Sequence, residues 1–203
     1  MSFDEIRKKV GDYYTGKIRT HGATPHGVDW NGKESQELRF VQLAKVLPQE
    51  GSFTVLDYGC GYGSLYEVLS SSFPGCAYTG FDISDDMLAE AKKMHGGAAW
   101  TNKPPGSKFD FVLASGLFNV RLDTDDSRWL AYMTDMLHEF DRLSAKGFAF
   151  NALTSYSDAE YMRADLYYSD PLRLFDYCKK NFSKYVALLH DYPLYEFTIL
   201  VKK

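Results

Sequence analysis

The chain has few cysteines, and it lacks long apolar runs and long basic runs. Its 203 residues include three cysteines, Cys60, Cys76 and Cys178, an odd number at no spacing typical of a metal site. No stretch reaches the about 20 apolar residues of a transmembrane helix. The net charge of −4 argues against a partner with a phosphate backbone. We therefore expect reduced thiols, a cytoplasmic location, and neither a membrane nor a nucleic-acid partner.

From residue 51 onward, short apolar runs alternate with stretches of helical spacing. Strands are predicted at 53–58, 77–82, 98–100, 109–114 and 147–153, separated by helices at 64–71, 85–95 and 126–143. A helix at 171–181 and strands at 185–190 and 196–202 follow, and the short turn between these strands predicts an antiparallel pair. The pattern predicts an α/β fold with a doubly wound, seven-stranded sheet that is mostly parallel and has an antiparallel C-terminal strand.

The first 50 residues have a different pattern. Helical spacing at 3–14 and 35–47 flanks a segment, 15–33, that is rich in Gly, His and Thr and is predicted to be a loop. The length of the chain fits one domain. We expect residues 1–50 to form a helical cap on a core of residues 51–203.

A glycine-rich turn follows the first predicted strand, in the sequence Val-Leu-Asp-Tyr-Gly-Cys-Gly-Tyr-Gly at 55–63. Glycine permits positive φ and a close approach of a ligand to the backbone, and the next helix offers free N–H groups. Asp82, at the end of the second predicted strand, can accept both hydroxyls of a ribose. Glycine at every second position, preceded by Asp57, fits a cationic adenosine ligand better than a diphosphate.

Together with Gly-Phe-Asp-Ile-Ser at 80–84, this turn resembles the class I S-adenosylmethionine-dependent methyltransferases, over most of residues 53–203. The resemblance implies a Rossmann-like fold, S-adenosylmethionine as cofactor, and methyl transfer as the reaction. It implies that Asp57, Gly59 and Gly61 lie near the methionine part of the cofactor. It also implies that Asp82 binds the ribose, and that Ile83 and Met87 flank the adenine.

Residues 115–119, after the fourth predicted strand, are expected at the ligand crevice, because the carboxyl ends of parallel strands meet there. Ser115 and, within the glycine turn, Cys60 are predicted cofactor contacts, and Asn119 is a candidate for catalysis or for capping its loop. Family members that methylate amino groups of bases carry Asp or Asn, Pro, Pro and an aromatic residue at this point. Their absence here disfavours a nucleic-acid substrate.

The N-terminal segment contributes further candidates. Tyr14 and Trp30 are predicted to close the cofactor pocket, and Arg39 to pair with the methionine carboxylate. His21 and His26 are candidate metal ligands, but no third ligand stands at a recognisable spacing, so a solvated loop is the favoured interpretation. We predict no metal.

Near the C-terminus, His190 is a candidate general base, with Asp191 setting its tautomer. The alternative is a turn residue that bonds to the backbone. The cluster Tyr156, Tyr161, Tyr167 and Tyr168 is a candidate lid over the acceptor or, alternatively, packs on the sheet.

The sequence thus predicts methyl transfer from S-adenosylmethionine to oxygen or nitrogen of a small-molecule acceptor, by a monomer or homodimer. Other classes share parts of the pattern. A lyase or cyclase that consumes S-adenosylmethionine, or a noncatalytic adenosyl-ligand-binding protein, would have the same cofactor site. A nicotinamide-dependent oxidoreductase would instead need the glycine turn to hold a pyrophosphate.

Overall fold

The computed structural model describes residues 1–30 and 32–203, and in these it forms seven strands that join in one sheet. The strands are β1 Phe53–Tyr58, β2 Cys76–Phe81, β3 Ala99–Thr101, β4 Phe109–Ala114, β5 Ser144–Leu153, β6 Tyr185–Leu189 and β7 Glu196–Lys202. Their order across the sheet is β3-β2-β1-β4-β5-β7-β6. Strands β1 to β5 are parallel, and β7 is antiparallel to both of its neighbours. The predicted sheet is confirmed.

Helices cover both faces of the sheet. They are α1 Phe3–His21, α2 Lys33–Ala44, α3 Ser64–Ser72, α4 Asp85–Met94, α5 Asp126–Leu143 and α6 Pro171–Asn181, with short 3₁₀ turns at Pro25–Val28 and Ala159–Tyr161. In the part of the chain that the structure describes, none of these helices is long and apolar enough to cross a membrane.

Two apolar cores lie on opposite faces of the sheet. One is centred on α5 and contains Trp129, Phe140 and Phe148, each with no exposed surface; the other packs α2 and α3 on the sheet through Leu43 and Leu69. Burying a large apolar side chain stabilises the fold by roughly 1.5–3 kcal/mol. Strands β1 and β4 are buried over most of their length, because a central parallel strand is covered on both faces. This fixes the carboxyl ends of the strands as one rigid edge.

Helix α1 is longer than the sequence predicts. The segment 15–33 was predicted to be a loop, but the helix continues to His21 and is capped by Gly22, whose φ is 66°. Ile18, in the added part, is buried in a cluster with Met87, so tertiary packing outweighs the low helix propensity of Gly16. Asn31, also within the predicted loop, lies outside the described residues.

Other boundaries shift slightly. The helix predicted at 35–47 spans Lys33–Ala44, and the strand predicted at 77–82 spans Cys76–Phe81, which leaves Asp82 just beyond the strand. Strand β5 begins at Ser144 and not at residue 147. The Ser144 N–H still bonds to the carbonyl of Phe140, so α5 ends where the strand begins.

Candidate active site

The glycine turn lies between β1 and α3, at the carboxyl edge of the sheet. Gly59, Gly61 and Gly63 have φ values of 78°, 54° and 87°, in the left-handed region that favours glycine. A Cβ added to Gly61 would lie 3.3 Å from Cγ1 of Val28 in the N-terminal segment. The turn therefore presents bare backbone toward the segment that covers it.

Asp82 is bonded to this turn. Its Oδ2 accepts the Gly61 N–H at 2.9 Å, and its Oδ1 accepts the Ser84 N–H at 2.8 Å. Burial raises the pKa of Asp82, although these backbone N–H groups act in the opposite direction. Each carboxylate oxygen can accept more than one hydrogen bond, so Asp82 keeps capacity for ligand hydroxyls.

Asp57, at the base of the turn, is a buried carboxylate. The Tyr78 hydroxyl donates to its Oδ2 at 2.6 Å. Burial raises the pKa of Asp57 to about 7; the bond from Tyr78 opposes this rise, and the nearby Asp82 adds to it. Because a buried, ionised carboxylate is poorly hydrated, a nearby cation stabilises it.

A cavity of 240 Å³ opens above this group. Asp57 and the glycine turn form its base, and Ser115, Gly116 and Leu117 one wall. The predicted cofactor residues that line it are Tyr14, Trp30, Asp57, Gly59, Cys60, Gly61, Asp82, Ile83, Met87 and Ser115. The structure thus brings these residues around one cavity, and their contact with a cofactor stays a prediction.

The same cavity has lining residues that the sequence analysis missed. Gln36 of α2 is buried, and its Oε1 accepts the Tyr62 hydroxyl at 3.3 Å, which leaves its NH₂ group for a ligand. Arg7 of α1 and Glu139 of α5 also line the cavity. Gln36 lies one helical turn before the buried Phe40, and this spacing could have predicted that Gln36 is on the buried face of α2. Arg7 and Glu139 are polar positions on amphipathic helices and gave no such signal.

A second cavity of 780 Å³ lies beside the first and shares Tyr14, Val28 and Trp30 with it. Its other walls come from α2, from the loop after β4, from the segment 153–168 and from the turn before β7. Besides Tyr14, four tyrosines line it, two of them from the predicted aromatic cluster: Tyr161, Tyr168, Tyr192 and Tyr195. Tyr156 and Tyr167 are outside this lining.

Arg39 lines the second cavity and is not among the described residues that line the first. Its Nε donates to Oε2 of Glu196 at 2.7 Å in a buried ion pair. Its guanidinium lies 3.9 Å from the centre of the Trp30 ring. Among the described residues, its buried Nη1 has no hydrogen-bond partner. The predicted pairing of Arg39 with the methionine carboxylate stays untested, and its position favours a ligand in the second cavity.

A hydrogen-bond network connects this ion pair to the first cavity. The side-chain amides of Asn119 and Asn151 each donate to Glu196 at 3.4 Å, and Asn151 Oδ1 accepts the Gly116 N–H at 2.7 Å. Asn119 also accepts the Leu153 N–H at 3.1 Å. Asn119 therefore holds its loop in place, as one of its two interpretations predicts, and it also lines the second cavity.

His190 lies apart from both cavities. It is exposed just after β6, with its ring 5.9 Å from that of Tyr156, and Asp191 beside it is also exposed. A general base must come within hydrogen-bond reach of the proton that it removes. The placement of His190 therefore does not favour the predicted role, which stays untested.

Within residues 1–30 and 32–203, no group of three or more His, Cys, Asp or Glu side chains is arranged to hold a metal ion. The rings of His21 and His26 are 6.3 Å apart on the surface. Cys60, Cys76 and Cys178 are free thiols, and burial raises the pKa of each.

A doubly wound sheet whose glycine turn and following acid enclose a cavity at the strand ends is characteristic of α/β proteins that bind adenosine ligands. The adjoining second cavity gives such a protein room for another substrate. These features together are typical of an α/β protein that binds an adenosine ligand next to a second cavity.

Comparison with known proteins identifies the family. Residues 55–139 match the family model described as Methyltransferase domain. The chain is 48% identical over 155 residues to Rv1506c of Mycobacterium tuberculosis, named as a candidate methyltransferase, covering 74% of this chain and 93% of that protein. It is 34% identical over 123 residues to malonyl-[acyl-carrier protein] O-methyltransferase of Neorickettsia risticii, covering 61% of this chain but only 47% of that relative's length.

The fold is similar to that of magnesium protoporphyrin IX methyltransferase from Synechocystis PCC 6803 with bound S-adenosylmethionine. The TM-score is 0.63 at 14% identity, over 97% of both chains. The protein belongs to the class I S-adenosylmethionine-dependent methyltransferases.

The first cavity fits this cofactor. The Ser115 hydroxyl is buried and has no hydrogen-bond partner in the described part of the chain, so it is available to a ligand. Asp57 and Asp82 supply negative charge for a cationic ligand with a ribose, and Ile83 and Met87 supply an apolar wall.

Proposed function

We propose that this methyltransferase moves the methyl group of S-adenosylmethionine to an oxygen or nitrogen of a small molecule held in the second cavity. The observation that carries the proposal is the wall that the two cavities share, made by Tyr14, Val28 and Trp30. Because the cavities share these residues, a cofactor in the first and an acceptor in the second would lie next to each other, as direct transfer requires.

Each part of the cofactor has a proposed partner in the first cavity. Asp82 accepts the ribose hydroxyls, because its Oδ2 already faces the glycine turn and both of its oxygens keep acceptor capacity. Ile83 and Met87 pack on the adenine. Asp57 and the backbone at Gly59 lie under the cationic methionine part.

Tyr14 is a positioning donor in this proposal. Burial raises the pKa of Tyr14 well above its ordinary value, and the negative charge of Asp29 adds to the rise. The phenol therefore stays protonated near neutral pH, so it can donate a hydrogen bond at the shared wall but cannot serve as a base.

The bound cofactor supplies an activated methyl group on a sulfonium, whose sulfur becomes a neutral thioether on transfer. The protein must therefore orient the acceptor and keep water out, which are the large contributions to rate in a direct displacement. The buried network from Gly116 through Asn151 to Glu196 supports this role, because it holds the loop beside the shared wall in place. The Neorickettsia relative is named as an O-methyltransferase, which supports oxygen as an acceptor atom.

The test is turnover. Protein with S-adenosylmethionine is incubated with a panel of small phenols, carboxylic acids and amines, and products are separated by mass spectrometry. We expect S-adenosylhomocysteine and a methylated acceptor in equal amounts. Methylthioadenosine as the product would indicate a lyase or cyclase. Cofactor binding without turnover of any panel member would contradict methyl transfer to small molecules.

A further inference from the structure

We infer that the acceptor carries a carboxylate, and that Arg39 binds this carboxylate in the second cavity beside the face of Trp30. The inference rests on the proposed function, because it names the group by which the same cavity recognises the acceptor.

Arg39 has unused donors. A guanidinium carries five N–H groups, and in the described part of the chain Arg39 uses Nε–H toward Glu196, while Nη1 is buried without a partner. The whole residue is only 7% exposed. A buried donor without an acceptor destabilises the protein, so a ligand oxygen at Nη1 would remove an existing penalty. A buried donor without a protein partner is expected in a binding site where the ligand supplies the hydrogen-bond acceptor.

The acids that line the second cavity, in contrast, are already engaged. Glu196 accepts from Arg39, Asn119 and Asn151. A cationic acceptor would have to compete with Arg39 for Glu196. Within the ion pair of Arg39 and Glu196, Arg39 is thus the residue that still has a hydrogen-bond donor without a partner.

Asp29, the other acid that lines the second cavity, also has hydrogen-bond partners already. Tyr13, Lys17 and Arg163 all donate to its carboxylate, at 2.9, 2.8 and 3.3 Å. Burial acts to raise the pKa of Asp29, but the bonds from Lys17 and Tyr13 outweigh it and lower the pKa. Asp29 is therefore a charged acid that already has three donor partners. An anionic ligand would meet a donor without a partner at Arg39, whereas a cationic ligand would meet acids that already have donor partners.

The aromatic residues that line the cavity point to a planar acid. The Trp30 ring lies on the Arg39 guanidinium, and tyrosines form much of the remaining wall. Aromatic or conjugated ligands pack well on such rings. Arginine binds a carboxylate through its planar fork, which would align the plane of the acid along Trp30. An aromatic or conjugated carboxylic acid fits both features.

Two nearby residues of α2 would each bind a different carboxylate, one on the cofactor and one on the acceptor. Gln36 lines the first cavity, and Arg39 lines the second. Donors for the methionine carboxylate are then Gln36 and Ser115, which leaves Arg39 for the acceptor. This assignment replaces the role that the sequence predicts for Arg39, and it changes the expected effect of its substitution.

The test compares acids with their amides at equilibrium. Benzoate, 4-hydroxycinnamate and 2-naphthoate, each paired with its primary amide, are titrated by calorimetry into the wild-type protein saturated with S-adenosylhomocysteine. We expect at least one acid to bind about tenfold or more tightly than its amide, since a charge-assisted pair is lost in the amide. Equal binding of acids and amides, or binding of no acid, would overturn the inference.

Two variants locate the preference. The double variant Arg39→Gln, Glu196→Gln removes both charges together and so leaves no buried unpaired acid. We expect it to lose the preference for the acid and to keep its affinity for S-adenosylhomocysteine within about threefold. Arg173→Gln, on the exposed side of α6, is the matched control and should keep the preference.

A preference that survives the double variant would contradict the role of Arg39, and so would a large loss of S-adenosylhomocysteine affinity, which would assign Arg39 to the cofactor. The wild-type comparison needs no variant, so it decides the inference even if the double variant does not fold. Failure of the proposed function would be recognised by a different result: no acceptor would be methylated, whether or not the protein prefers acids to amides.

Discussion

Asp57 has an ionisation state that depends on burial. Its raised pKa, about 7 against an ordinary 3.8, means that the folded protein binds a proton more tightly than the unfolded chain. The associated stability is present below the ordinary pKa and is lost as the pH rises through about 7. Asp57 therefore destabilises the cofactor-free protein in its charged form, which a cationic ligand would offset.

We expect Asp57→Asn to raise the free energy of unfolding relative to wild type by about 1–3 kcal/mol more at pH 8 than at pH 5. Asn keeps an acceptor for the Tyr78 hydroxyl but has no charge. Urea unfolding without cofactor at the two pH values measures the difference. Asp176→Asn, an exposed position on α6, serves as the control. An equal effect of Asp57→Asn at both pH values would contradict the buried charge.

Asp82 offers a second test at this scale. We expect Asp82→Ala to weaken S-adenosylhomocysteine by about 1–3 kcal/mol, because it removes charge-assisted bonds to the ribose. Calorimetry measures the dissociation constant, with the exposed Asp176→Ala as the control. Unchanged affinity would remove Asp82 from the cofactor site.

Among the secondary-structure elements, α1 covers the first cavity and carries two glycines in different surroundings. A Cβ on Gly11 would lie 2.5 Å from Cδ1 of Ile83, whereas one on Gly16 meets no atom within 4 Å. We expect Gly16→Ala to stabilise the protein by about 0.5–1 kcal/mol and leave cofactor affinity unchanged. Gly11→Ala should displace Ile83 and weaken S-adenosylhomocysteine.

Urea unfolding and calorimetry on both glycine variants separate these effects. If Gly11→Ala bound the cofactor as wild type does, Ile83 would not be part of a close-fitting cavity wall. If Gly16→Ala destabilised the protein, the part of α1 beyond residue 14 would not be a regular helix.

Local patterns predicted most of the elements, and long-range contacts decided what the patterns missed. The glycine turn and Asp82 were predictable because strand, turn and acid follow one another within a short stretch. The pairing of Arg39 with Glu196 joins residues 157 positions apart and leaves no local signal. Likewise, α1 continues past Gly16 because Ile18 packs beside Met87, a contact that helix propensity alone does not contain.

Considering the whole molecule, residues of the segment from Tyr14 to Trp30 line both cavities. It reaches the segment 153–168 through the ion pair of Asp29 with Arg163, at 3.3 Å. We expect S-adenosylhomocysteine to slow amide hydrogen exchange at Pro25–Val28 as well as at residues 57–65, because the ligand would contact both sides of the first cavity. Exchange in β6, at the far edge of the sheet, should not change.

Hydrogen exchange monitored by mass spectrometry, with and without S-adenosylhomocysteine, provides this measurement. Protection confined to residues 57–65 would mean that the N-terminal segment does not close on the cofactor.

The two cavities draw on different parts of the chain. Apart from residues of the N-terminal segment, which line both, the first is built largely on the ends of β1, β2 and β4, whereas the second is built largely from the segment 153–168 and the turn before β7. Substitutions in these connecting segments are tolerated more readily than changes in a buried strand. In evolution, such a chain can acquire a new substrate by drift in its loops while it inherits its cofactor chemistry intact.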